Sequence, residues 1–167
     1  GEYIYYLDSD DAIAPTALEE LYRTLKNNDL DLLFFSGIVH YESPSLEELY
    51  EDNRYYYYAN LNDTGTCSGP ALFRWAYDNH IFRSSACMQI AKRSFLEKIS
   101  AHFRDGILHE DNLYTFTTIL QAKRAMRINS PFFVRLYRHN SIMTSHPTVN
   151  NVVGYLENYI QMISFLS

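Results

Sequence analysis

Long apolar runs are missing from this chain. None could span a bilayer and none reads as a signal peptide, so the cytoplasm is the expected compartment. Cysteine is scarce: Cys67 and Cys87 are the only two, and they have no metal-type spacing. So few thiols suit a reducing compartment, with a disulfide between them left open. Positive charge is short as well. A formal net charge of -6 gives no general attraction to nucleic acid or to an anionic membrane. There is no internal repeat and no low-complexity linker. What is present is apolar: 47% hydrophobic and 16% aromatic residues over 167 positions argue against disorder and for one domain with a proper core.

The first dozen residues organise the rest. Tyr3 to Leu7 is a short apolar and aromatic run, too short for a helix and rich in sheet formers, and it predicts a buried strand. It stops at Asp8-Ser9-Asp10-Asp11, three carboxylates in four positions. Carboxylates at the carboxyl end of a strand lie where open α/β sheets bind ligands. Packed together they repel one another unless a cation sits among them. A hard divalent ion with oxygen ligands is the natural one. The plainer reading is a solvated turn capping the next helix, and for a bare Asp-x-Asp that is the commoner case.

Pro15 opens a helix whose apolar stripe is Leu18, Leu21, Tyr22 and Leu25. Leu32 to Phe35, closed by Ser36-Gly37, reads as the next strand, so residues 1–40 form a βαβ unit with parallel strands. Residues 41–148 hold the remaining chemistry. Ser45 opens a short helix through Tyr50. The tyrosine run Tyr55 to Tyr58 is read as a strand or loop across the sheet in preference to a sugar-stacking platform. A helix from Gly69-Pro70 carries Trp75 as a packing residue, a strand covers Ser84 to Ile90, and a short helix covers Arg93 to Ile99. A second acidic centre, His109-Glu110-Asp111-Asn112, sits at the amino terminus of a helix over Leu113 to Ala122, where the helix dipole favours negative charge. Two strands follow, Arg124 to Ile128 and Phe132 to Tyr137, separated by Asn129-Ser130-Pro131. Residues 149–167 make an amphipathic helix with Val152, Val153, Leu156, Tyr159, Ile160 and Ile163 on the face expected to pack on the core.

Taken in order, these stretches resemble the middle and carboxyl-terminal part of a family 2 glycosyltransferase of the GT-A fold. The residues that carry the resemblance are Gly1 to Ile4 running into Leu7-Asp8-Ser9-Asp10-Asp11, then Ala17-Leu18-Glu19, Ala91 to Leu96, His109-Glu110-Asp111-Asn112, and Tyr137-Arg138-His139 with Ser141. The two acidic stretches are the most specific. The resemblance implies an α/β fold, an incomplete Rossmann-like GT-A domain with a mixed sheet and flanking helices. It also implies transfer of a sugar, with inversion, from a nucleotide-diphosphate donor, most often a UDP-sugar, to a glycan or lipid-linked acceptor. Asp8 and Asp10 would hold Mn²⁺ or Mg²⁺, with His139 as a third ligand. Arg138, with Asp10, would serve the donor diphosphate. Asp111 would be the general base and Glu110 would orient the acceptor. Family analogy adds surface polysaccharide assembly, peripheral to the inner face of a membrane.

One departure is marked. Nothing before Gly1 matches the family's amino-terminal half, which grips uracil and ribose, so little activity is expected of this chain alone. An exposed strand edge at Tyr3 to Leu7 would then invite pairing with a second copy. Two other readings compete. Haloacid-dehalogenase-type phosphatases also set Asp-x-Asp after a strand, but they want Thr or Val where Ala12 stands, and no late paired-Asp motif appears. A non-catalytic glycan- or partner-binding module is the other: it suits a chain without the amino-terminal half, while the intact acidic centres speak against it for the whole gene product.

Overall fold

The computed structural model describes residues 1–53, 61–139 and 148–167. Its centre is a five-stranded mixed sheet in the order β1-β4-β3-β5-β2. The strands are β1 (Tyr3–Tyr5), β2 (Ala12–Ile13), β3 (Leu32–Tyr41), β4 (Gln89–Lys92) and β5 (Ala125–Tyr137). Among the described residues six helices flank it: α1 (Ala17–Asn27), α2 (Pro44–Tyr50), α3 (Gly69–Asp78), α4 (Arg93–Lys98), α5 (Asp111–Gln121) and α6 (Val149–Leu166). Alternation along the strands splits the core in two. Leu33 and Phe35 pack with Leu21 and Leu25 of α1. Leu32, facing the other way, packs with Leu72 of α3, Phe95 of α4 and Ile119 of α5.

The mixed α/β sheet with flanking helices is the architecture expected, but its order is not that of a simple βαβ unit. β3 and β5 are the parallel pair. Between β1 and β3 lies β4, antiparallel to both, with Tyr3 opposite Lys92 and Leu32 opposite Ala91. The strand expected from Ser84 is shorter: Ala86–Met88 is a 3-10 turn, and pairing starts at Gln89. The two strands expected on either side of Asn129-Ser130-Pro131 are one, because the β3–β5 register shifts there between Phe34 and Gly37. Such an irregularity tolerates a proline that cannot donate to the ladder. Arg127 fills the break, donating from Nη2 to Ser36 Oγ and Asn129 Oδ1, both at 2.9 Å.

Two helical faces also differ from expectation. On α1 the buried positions are Ala17, Leu21 and Leu25, while Leu18 and Tyr22 are exposed. On α6 the expected inner face is the outer one: Val152, Leu156, Tyr159 and Ile160 are more than half exposed, and only Gly154 and Asn158 are buried. The tyrosines Tyr55 to Tyr58 lie outside the described residues.

The topology places the acidic motif. β1 and β2 occupy opposite edges of the sheet. Residues 6–11 therefore carry the chain across, and Asp8 to Asp11 ride on that crossing. β2 then pairs with Phe133 and Val134, near the carboxyl end of β5.

Candidate active site

The crossing segment is fixed by arginines from the end of β5. Arg135 Nη1 donates to Asp11 Oδ2 at 2.6 Å and to Asp8 Oδ2 at 3.1 Å. The Asp11 side chain is fully buried and also accepts the Leu136 N–H at 3.1 Å. Burial pushes its carboxyl above the ordinary range, outweighing the pull of Arg135 and of that N–H. Arg138 Nη2 donates to Asp10 Oδ2 at 2.6 Å. Burial works against the Asp10 charge, but the Arg138 bond and its positive charge prevail and hold that carboxyl below its usual value. Three carboxylates against two guanidiniums leave the segment with one negative charge in excess.

The second acidic centre faces the first across a cleft of about 450 Å³, whose lining includes Tyr6, Asp8, Cys87, Phe103, Glu110 and Asp111. Aromatic packing stiffens one wall: Phe103 stacks on Tyr114 at 4.2 Å, and Tyr6 meets Phe103 edge-on at 5.0 Å. Glu110 is the residue flanking the start of α5, with helical dihedrals and no side-chain cap bond, and Asp111 is the first helical residue. The chain enters through His109, a non-glycine residue at φ 64°. Burial pushes the Asp111 carboxyl up to about 6, with help from the charges of Glu110 and Asp8 and against the Ala86 N–H and Arg135. That is the range a general base needs near neutral pH.

The structure thus brings together Asp8, Glu110 and Asp111 in one cleft, and Asp10 with Arg138 in one ion pair. His139 engages another element: its Nε2 lies 3.2 Å from Ser43 Oγ, and its backbone N donates to Glu42 Oε2 at 2.9 Å. Among the described residues the group with metal-ligand spacing is Asp8, Asp11 and Cys87, whose ligand atoms lie within 4.8 Å of one another. The carboxylates suit a hard cation. Cys87 does not, since burial and Asp8 push its thiol up to about 12 and keep it protonated. Both cysteines are free thiols.

Asp11 and Arg135 were not singled out by sequence, although a signal existed. Arg135 is the one charged residue in the strand Phe132 to Tyr137. A lone charge in a buried strand needs a counter-charge, and the two acidic blocks, Asp8 to Asp11 and Glu110-Asp111, are the candidates.

Relatives agree with this architecture. The chain is 25% identical to an uncharacterized glycosyltransferase, YibD, of Escherichia coli, over 99% of its own length and 47% of the relative's. It is 24% identical to the poly(ribitol-phosphate) beta-N-acetylglucosaminyltransferase TarP of Staphylococcus aureus, over 92% of this chain and 42% of that one. It therefore spans about half the length of the curated relatives it matches. In fold it is similar to S. aureus TarS residues 1–349 crystallised with UDP-GlcNAc, with a TM-score of 0.65 at 18% identity over 89% of this chain and 38% of that one. The family model Glycosyl transferase family 2 matches residues 1–99, more than half of the chain, and the protein belongs to that family.

Proposed function

We propose that this chain carries the catalytic centre of an inverting transferase that moves a sugar from a UDP-sugar to a hydroxyl of a glycan or lipid-linked acceptor, in surface polysaccharide assembly at the cytoplasmic face of a membrane. The observation that carries the reading is the shared cleft: Asp8 on one wall, and Asp111, with its raised carboxyl, on the other. Inversion suits two separate acidic centres, because the acceptor oxygen attacks the anomeric carbon from the face opposite the leaving diphosphate and its base must lie on that side. Asp111 takes the proton of the acceptor hydroxyl. The acceptor oxygen forms its bond to the anomeric carbon as the bond to the diphosphate oxygen breaks, and UDP leaves. Glu110, beside Asp111 on the cleft, orients the acceptor.

The donor brings negative charge to a segment that already has one in excess, so a divalent cation fits the electrostatics. Asp8 and Asp10 would be the oxygen ligands of Mn²⁺ or Mg²⁺, with His139 as the third once it leaves Ser43 and Glu42. Such an ion supplies Lewis-acid stabilisation of the leaving diphosphate. Arg138, paired with Asp10, would serve an oxygen of the donor diphosphate. TarS has been crystallised with UDP as well as with UDP-GlcNAc, which supports a uridine nucleotide as donor. β1 is an edge strand, the surface that self-association would use. A monomeric mass by light scattering at high concentration removes that element of the reading.

Calorimetry on the full-length protein tests the core of it. UDP binds in the presence of Mn²⁺, and binding is lost with chelator or in Asp10→Ala. Absence of any metal-dependent binding of UDP or UDP-sugars would return these carboxylates to a structural turn.

A further inference from the structure

The contacts near the middle of helix α6 converge on the turn that delivers Asp111. Gly154 lies so close to the Leu108 carbonyl that a Cβ would collide with it. The Tyr155 ring stacks on the His109 imidazole at 4.1 Å between centroids. Asn151 Nδ2 sits 3.2 Å from His109 Nε2. Asn158 is 2% exposed and donates from Nδ2 to the His109 carbonyl at 2.9 Å. The same carbonyl accepts the Asn112 N–H at 3.0 Å, within the first turn of α5. Next to Asn158, Glu157 holds Arg104, another residue lining the cleft, at 2.7 Å.

The buried asparagine is costly for mere packing. Its Oδ1 has no hydrogen-bond partner among the described residues, and an unsatisfied buried acceptor costs about 1–3 kcal/mol. A leucine there would seat the helix without that loss. His109, held at φ 64°, occupies a conformation that is unfavourable for a residue with a Cβ, so something must hold it. We propose that Asn158 is a positioning residue: with Gly154 and Tyr155 it locks the left-handed turn at His109 and thereby aims the Asp111 carboxylate into the cleft. The inference rests on the reading of Asp111 as general base.

The test is made in the full-length protein, reading UDP release from UDP-GlcNAc, UDP-glucose and UDP-galactose with water as surrogate acceptor. Asn158→Leu should fold with an unchanged or higher Tm and leave KM for the donor within about twofold. Its kcat should fall by about 10- to 100-fold, the scale set by misplacing a reacting group by an ångström. Gly154→Ala, which pushes on the same turn from Leu108, should lose kcat in the same way. Val152→Ala, on the exposed face of α6, should leave it unchanged. Adding Asn158→Leu to Asp111→Asn should cost nothing further, because one acts through the other. If Asp111→Asn abolishes release while Asn158→Leu keeps full kcat, this inference alone falls. If Asp111→Asn keeps full kcat, the base reading falls and this one with it. Failure of Asn158→Leu to fold would also overturn it, since the side chain would then serve the fold.

Discussion

A single carboxylate, Asp111, is asked to serve stability and chemistry in opposite ways. Its carboxyl stands at about 6 against an ordinary 3.8. An acid whose proton is held more tightly in the folded state favours folding below its unfolded pKa, and that advantage disappears as pH rises through the folded value. At pH 8 the ionised, buried side chain is therefore a liability, and Asp111→Asn should stabilise the protein there by about 2 kcal/mol, measured by urea denaturation, with the gain vanishing near pH 3 to 4. The same substitution should abolish transfer. In the unmodified protein kcat should fall about tenfold per pH unit below about pH 6, as the base protonates. Burial raises the Asp11 carboxyl as well, but Asp11 differs in having a direct cationic partner. Its buried carboxylate has Arg135 as a direct partner, itself only one-fifth exposed, and Asp11→Ala should cost about 3 kcal/mol by leaving that guanidinium half-compensated. The carboxylates were legible in the sequence as two acidic blocks at element ends. Their division of labour was not: Arg135 and Arg138 lie more than 120 positions away, and no local pattern says which aspartate each will take.

At the level of elements, close approach decides which helix goes where. Gly69 opens α3 beneath Ile119 of α5, so near its carbonyl that a side chain cannot enter. Gly69→Ala should cost about 1–3 kcal/mol by chemical denaturation, with the Ser68 cap, whose Oγ accepts from Ala71 N at 3.4 Å, left in place. Helices were largely readable, because Pro15, the capping spacing from Ser45, Gly69-Pro70 and the apolar spacing mark them locally. Phase was harder. On α1 the small Ala17 takes the inner position that Leu18 would be expected to hold, since the stripe is set by what the sheet has room for. β4 was the least legible strand: four residues long, it inserts between β1 and β3 through pairing that only the tertiary fold supplies. Asn129-Ser130-Pro131 looked like a break, yet a register shift against Ser36 and Gly37 absorbs it within a single strand.

The molecule as a whole presents an apolar ridge along α6. Val152, Leu156, Tyr159 and Ile160 stand more than half exposed, and the helix has one charged residue, Glu157. A double Leu156→Lys, Ile160→Lys variant should leave the denaturation midpoint of this chain within about 0.5 kcal/mol and lower its binding of the dye ANS, the reverse of what a core face would show. The sheet order has a kinetic meaning too. β1 cannot pair until residue 92 exists, and β2 cannot pair until residue 134 does. On a ribosome moving at roughly 5–20 residues per second, the acidic crossing waits about 6–25 s for the arginines that neutralise it. Its carboxylates are synthesised well before the arginines that compensate them. Through that interval the crossing is a hydrated, self-repelling segment, and its charge disfavours early pairing of the adjoining β1 tyrosines with a neighbouring chain.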